Sequence, residues 1–343
     1  LTEGMEGMLL LDKTPFYATM GGQSTDFGVI ESENGSFEVT DVLKLGGTKI
    51  AHIGKVVKGD IKPGAALARV SEKRRGDICK NHTSAHLLQA ALRAILGDHV
   101  EQAGSYQDAE RTRFDFSHNQ AMTADEIAKV EALVNEKIAE DIKVITEVMT
   151  PAEAKASGAM ALFGEKYGES VRVVSVGDFS KELCGGTHVS HTGEIRNFKI
   201  VSESGVAAGV RRIEAITGEN VIEYYKKLEA EFNEAAAIVK STPAQLLDKL
   251  NALVKENKSL HSENESLKAK AAKDAAGDVM NDVTEINGVK LIAARVSGVD
   301  MNSLRDLGDS IKEKLGEGVV VLVSDADGKV NLIAMATDGA QAK

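Results

Sequence analysis

Two short motifs held far apart in the chain constrain the fold more than any other feature. His82-Thr-Ser-Ala-His86 spaces two imidazoles four residues apart, which sets them on one face of a helix. About a hundred residues later, Cys184-Gly-Gly-Thr-His188 repeats the spacing with a thiol and an imidazole. One thiol and three imidazoles make a borderline-soft donor set that suits zinc better than magnesium or calcium. If both motifs serve one ion, the chain between them must return on itself. The paired glycines of the second motif let the backbone fold tightly there. Cys79 lies three residues before His82 and His191 three after His188, so spacing alone does not choose four ligands from six. Only two cysteines and eight histidines occur in 343 residues, and their concentration in these motifs argues for a shared site.

Two cysteines cannot form a disulfide framework, and no signal peptide is visible, so a cytoplasmic protein is expected. No apolar run approaches the roughly 20 residues of a membrane span, so no spanning helix and no membrane contact are expected. The length implies two to four domains, and Leu1 in place of Met suggests a piece of a longer chain. The net charge of -11 argues against indiscriminate nucleic-acid binding, yet residues 49–80 carry nine basic and three acidic side chains. Such a patch can bind RNA phosphates locally, or it can be a solvated basic face.

The patterning predicts an α+β protein in four parts. Residues 1–75 read as a small β-barrel, with alternating runs such as Phe37–Val42 broken by Gly pairs, Asn34-Gly35 and Pro63-Gly64. Residues 76–218 mix helix and strand without a βαβ rhythm. They carry a helix near 80–97 capped by Asn81 or Thr83 and a second near 124–141 capped by Thr123, with Glu126 completing a capping box. Strands are expected near 111–117, 143–149, 171–176 and 195–203. Residues 219–277 read as a helical hairpin or coiled coil. After Pro243, a heptad sets Leu246, Leu253, Leu260 and Leu267 at d with Asn257 and Asn264 at a, and buried Asn helps to fix register or partner number. Residues 278–343 read β-α-β-β as a small, incomplete α/β domain.

Here the sequence becomes recognisable. The two ligand motifs, with Asn81 before and Leu87-Leu88 after the first, resemble the editing domain of alanyl-tRNA synthetases. Gly21-Gly-Gln-Ser-Thr-Asp26-Phe-Gly28 is similar to that family's turn at the start of its β-barrel. His99-Val-Glu-Gln102-Ala-Gly-Ser105, Arg113-Phe-Asp-Phe-Ser-His118, Ala161-Leu-Phe-Gly-Glu-Lys-Tyr-Gly168 and Gly205-Val-Ala-Ala-Gly-Val-Arg-Arg-Ile-Glu214 resemble its further blocks. Residues 283–343 are similar to its DHHA1-type C-terminal domain, without the Gly-rich block that follows there. The resemblance covers nearly the whole chain. It implies one Zn2+ held by His82, His86, Cys184 and His188, and leaves Cys79 as a structural or incidental thiol. ATP and Mg2+ would belong only to an aminoacylation domain, which this chain lacks, since no segment resembles a class II synthetase active site.

The implied reaction is hydrolysis of the ester joining a wrong amino acid, serine or glycine, to tRNA(Ala). A pocket for alanine rejects glycine or serine by only roughly a hundredfold, so a second, hydrolytic site is needed. Gln102 and Thr25 are the candidate catalytic-pocket residues, expected to read the serine hydroxyl. Gly21, Gly22, Gln23 and Asp26 are expected to face the substrate. Arg211 and Arg212 are expected to bind tRNA, with Arg111, Arg113 and Lys73-Arg74-Arg75 as further phosphate contacts. The helices or last domain allow a homodimer. The competing readings are a free-standing trans-editing deacylase and a non-catalytic, zinc-stabilised tRNA-binding or dimerisation module. A DHH-type phosphoesterase is disfavoured, since no Asp-His-His triplet occurs.

Overall fold

The computed structural model describes residues 1–47, 49–160, 168–326 and 328–342. It separates into two compact units, Leu1–Glu229 and Ala230–Lys343. The Ala161–Gly168 motif, apart from Gly168, lies outside the described residues.

The first unit begins with five antiparallel strands: β1 (Glu6–Leu10), β2 (Gly28–Ser32), β3 (Gly35–Leu45), β4 (Lys49–Gly59) and β5 (Ala66–Val70). Along β3, Phe37 and Val39 are buried and Glu38 and Thr40 exposed. A register shift between Val39 and Asp41 then changes the parity, so that Val42 is the next buried residue, as a β-bulge requires. The expected barrel does not form. Strand order is β1-β4-β3-β2-β5, and closure would need the two edges, β1 and β5, to pair. The residues between β1 and β2 form no strand. They send Phe16 and Ala18 onto the sheet, where both join Ile30, Phe37, Val39, Val42 and Val56 in a core that needs no closed barrel.

Helix α1 (Glu72–Leu96) begins eight residues earlier than the sequence pattern predicts, with Ser71 as its cap. The apolar periodicity used to find it is visible only beyond Leu87. Before that, Asn81, His82, Thr83, Ser84 and His86 are all buried, so the polar face is the one turned inward. After α1 come β6 (Gln102–Gln107), β7 (Thr112–Ser117), α2 (Ala124–Ala139), β8 (Val144–Met149), α3 (Pro151–Ala156), β9 (Val171–Val176), β10 (Ser180–Leu183), β11 (Phe198–Ala207) and β12 (Val210–Thr217). The Thr123–Glu126 capping box opens α2 as expected. Strands β11-β12-β7-β6 and β10-β9-β8 form two antiparallel sheets. Leu87, Leu88 and Leu92 of α1 share one core with Phe114, Phe116, Val130, Val134 and Ile213.

Helix α4 (Glu219–Ile238) runs through the division between the units. In the second unit, α5 (Leu246–Val279) is followed by β13 (Thr284–Ile286), β14 (Val289–Ser297), α6 (Met301–Leu315), β15 (Gly318–Ala326) and β16 (Lys329–Ala336), in the sheet order β13-β14-β15-β16. Only β14 and β15 are parallel, with α6 as their crossover. Between β13 and β14, Asn287 and Gly288 have φ of 53° and 78°, the pair of positive values a two-residue I′ hairpin demands. Of the α5 heptad, Leu260 and Leu267 are 56% and 59% exposed, so that stretch of the seam stays open to solvent. No described helix is long and apolar enough to cross a membrane.

Candidate metal centre

The two distant motifs meet. Helix α1 carries His82 and His86, and the loop leaving β10 carries Cys184 and His188. One ligand atom from each of the four lies within 4.8 Å of all the others. His82 Nε2 and His188 Nε2 stand 3.4 and 3.3 Å from Cys184 Sγ.

What orients the imidazoles is a set of partners at their other nitrogens. His82 Nδ1 donates to Gln23 Oε1 at 2.7 Å. His188 Nδ1 lies 3.2 Å from Thr83 Oγ1. His86 Nδ1 lies 2.8 Å from a carboxylate oxygen of Glu182, a close charge contact without hydrogen-bond alignment. Each ring is therefore engaged through Nδ1, which turns Nε2 inward and matches the outer support seen around metal-binding histidines. His86 Nε2 is buried without a protein partner, an arrangement that costs free energy unless a ligand satisfies it. Gly186 completes the cradle, since a Cβ there would stand 2.0 Å from His82 Cε1. Burial opposes ionisation of the Cys184 thiol, but His188, His82 and His86 around it outweigh burial and hold it down at about 2. Burial, with the neighbouring His82 and His86, pushes His188 down to about 3, against the pull of Cys184. Burial opposes the charged form of His86, but Glu182 and Cys184 outweigh it and push that imidazole well up. A thiolate is the form of cysteine a metal requires, and a metal at His86 would displace its proton. The donor set is consistent with zinc.

His82, His86 and Cys184 of the cluster line a cavity of about 860 Å³ whose wall also includes Tyr17, Gly21, Gln89, Gln102 and Arg172. Arg172 donates from its guanidinium to the carbonyl of Gly186, and its own carbonyl accepts from Cys184 N at 2.9 Å. It therefore pins the Cys184–His188 loop from both ends of the residue. The Tyr17 hydroxyl donates to the Met20 carbonyl at 3.1 Å. Burial, aided by nearby Cys184, pushes it up to about 12.

The other residues singled out in the sequence are placed as follows. Gln102 and Gly21 line the cavity. Gln23 instead supports the metal motifs, because its carboxamide also accepts from Thr187 N and donates to Thr187 Oγ1, both at 2.8 Å. Thr25 is buried with Oγ1 toward the carbonyls of Tyr17 and Asp26, and neither it nor Gly22 is part of the cavity wall. Asp26 pairs with the Arg75 guanidinium and accepts from Tyr17 N. Cys79 lies outside the four-residue cluster, its thiol pushed up by burial. Among the basic candidates, Arg211 pairs with Glu203 and Arg212 with Asp115 through two contacts each. Arg111 pairs with Glu214, and Arg74 stacks 3.8 Å over Phe27. Lys49, Lys55 and Lys58 of β4 are exposed and without an ion-pair partner among the described residues. Sequence reasoning gave no site role to Glu182, Arg172 or Gln89, and read Thr83 only as a candidate helix cap. Only Gln89 had a usable signal, since it continues the helical stripe of His82 and His86 at i+7 and i+3.

Residues 171–214, which supply β9, β10 and the second ligand motif, match the family described as the threonyl and alanyl tRNA synthetase second additional domain. Residues 1–75 match class II (A) tRNA synthetases, in the stretch that carries the Gly21–Gly28 turn and in which the sequence shows no class II active-site segment. Over 341 residues and 99% of its length, the chain is 58% identical to alanine–tRNA ligase 1 of Lachnoclostridium phytofermentans. It is related to the alanyl-tRNA synthetase family. The ligases of Pseudoalteromonas translucida and Cupriavidus necator are 48% and 46% identical over 98% and 99% of the chain. In each case the chain spans 39% of the relative's length.

Proposed function

We propose that this chain hydrolyses wrongly charged aminoacyl-tRNA, removing serine or glycine from tRNA(Ala), at a zinc centre formed by His82, His86, Cys184 and His188. The observation that carries the reading is the convergence of four ligand atoms beside a cavity that His82, His86 and Cys184 line, in a chain whose residues 171–214 match an additional domain of the threonyl and alanyl synthetases. Zinc, when bound, supplies Lewis acidity and a fixed positive charge beside the ester.

The chain's own residues do the rest. Gln23, Thr83 and Glu182 hold the imidazoles in register, and Arg172 fixes the loop bearing Cys184. The wall around Gln102 receives the aminoacyl group. Water attacks the ester carbonyl, and the bond to the ribose oxygen of the 3′-terminal nucleotide breaks, releasing the free amino acid and uncharged tRNA. With Arg211 and Arg212 occupied by Glu203 and Asp115, the lysines of β4 are the better phosphate contacts, and the basic excess of residues 49–80 supports this. Thr25, held by main-chain carbonyls, contributes by shaping the Gly21–Asp26 loop.

The test is deacylation of Ser-tRNA(Ala) and Gly-tRNA(Ala) by the zinc-loaded chain, with Ala-tRNA(Ala) as the competing substrate. Release of serine or glycine with alanine spared is expected, together with loss of release in Gln102→Ala. Folded, zinc-loaded protein that hydrolyses none of the three would overturn the proposal. It would leave the second reading, a non-catalytic tRNA-binding module, which the count of four protein ligands favours because structural zinc sites are closed in this way.

A further inference from the structure

One polar side chain on the cavity wall has no role in supporting the metal motifs. Gln89 lies on α1 one turn beyond His86 and is 5% exposed. Its Oε1 is buried without a hydrogen-bond partner, and its carboxamide bonds to no described residue. Its neighbours on the same face are committed. His82 and His86 belong to the metal cluster. Arg93 donates to the carbonyls of Asp98 and Val100 and pairs with the Asp98 carboxylate. Apolar replacement of so buried a group would be favoured if stability were its only business, because an unpartnered carboxamide is penalised and a thioether of similar size is not.

We propose that Gln89 is a specificity-determining residue of the cavity. Its carboxamide is the partner of a hydroxyl on the aminoacyl group of the substrate. A carboxamide can present oxygen or NH2 by rotation, and a hydroxyl both donates and accepts, so a β-hydroxy aminoacyl ester satisfies it in either orientation. An alanyl methyl satisfies neither and leaves the buried amide unpaired, which is the strongest form of rejection open to such a site. A glycyl ester brings no side chain, so Gln89 discriminates serine from glycine as well as from alanine. This inference rests on the reading of the cavity as the receptor for an aminoacyl ester.

The experiment compares the full chain with Gln89→Met, a change that keeps volume and removes both polar ends. Two quantities are measured: kcat/KM on Ser-tRNA(Ala) and Gly-tRNA(Ala), and Kd for the non-hydrolysable 3′-seryl and 3′-alanyl amides of adenosine. The expected result is a roughly 10- to 100-fold fall in the serine-to-glycine ratio of kcat/KM and a matching loss of preference for the seryl over the alanyl amide. The melting temperature should hold or rise. An unchanged ratio with unchanged amide preference would sink the proposal, as would an equal fall on both substrates. A marked drop in melting temperature would also overturn it, by showing the carboxamide to be a structural partner. Absence of hydrolysis by the parent chain, with a seryl-amide preference that Gln89→Met abolishes, would defeat the hydrolytic function and uphold Gln89 as the reader.

Discussion

Replacing Gly186 by Ala adds one methyl group at the point of closest approach between the two metal motifs. The new Cβ would stand 2.0 Å from His82 Cε1, 2.3 Å from His82 Nδ1 and 2.8 Å from Gln23 Oε1. Gly186 is not among the glycines of positive φ, so the backbone tolerates Ala and the cost is purely steric. The ring of His82 must move, and it is hemmed in by the ring of His188 at 4.5 Å. Rotation breaks the 2.7 Å bond to Gln23 and draws Nε2 away from Cys184. Losing the outer partner of a metal-binding histidine costs about 10- to 100-fold in metal affinity, or roughly 1.4–2.8 kcal/mol. Displacement of the ring adds to that, so Gly186→Ala should fall at or beyond the upper end. Gly185 provides the control. A Cβ there meets nothing within 4 Å, and Gly185→Ala should bind zinc as the parent does. Titration of metal-free chain with zinc against a chromophoric chelator reads both affinities, with circular dichroism reporting that each variant is folded. Parental affinity in Gly186→Ala would refute the reasoning, as would an equal loss in Gly185→Ala.

Two further outcomes follow from the first sheet. Asp26→Ala removes a fully buried carboxylate that serves both Arg75 and Tyr17 N. It should destabilise the chain by about 3–5 kcal/mol, read as a shift in urea midpoint, and a loss under 1 kcal/mol would show the pair to be idle. His52 is buried, with Nε2 2.7 Å from Thr14 Oγ1 and Nδ1 facing the Leu9 carbonyl, and burial lowers it from the ordinary 6.5 despite that carbonyl. The unfolded chain therefore takes up a proton that the folded chain refuses, so His52's contribution is complete above pH 6.5 and is lost as pH falls through the folded value. Measured on metal-free protein from pH 7 to 5, His52→Gln should lose stability less steeply than the parent, and parallel curves would contradict the assignment.

Much of the fold could be read from the sequence where one physical signal dominated. The order of the final β-α-β-β run was legible, short β13 apart, because strands β14, β15 and β16 are bounded by turn residues and α6 carries Leu304, Leu307 and Ile311 at helical spacing. The Thr123 cap was equally plain. The barrel was a misreading of closure: alternation reports that a strand has a buried face but not which strand lies beside it, and the core is completed instead by Phe16 from a loop. The start of α1 was misplaced for a related reason. Periodicity assumes that the apolar face is the inner one, whereas the inner face there is Asn81, His82, Thr83 and His86.

The same inversion explains what was and was not visible at the site. The four side chains that converge could be picked out because metal chemistry restricts residue type and helical geometry restricts spacing, and both restrictions are local in sequence. Their supports obey neither. Gln23 lies 59 positions from His82 and 164 from Thr187, and joins them only because the turn before β2 packs against the loop after β10. A carboxamide, a hydroxyl and a carboxylate each engage one Nδ1, so no residue type marks the role. Charge misled in the opposite direction. Arg211 and Arg212 stand side by side on β12, a pattern that suggests a phosphate grip, but neighbouring positions on a strand point to opposite faces. Each meets its own acid, Glu203 across one edge and Asp115 across the other. A pair of arginines on a strand is therefore weak evidence for anion binding until the strands on both sides are known, whereas a pair of histidines four apart on a helix needs only the helix.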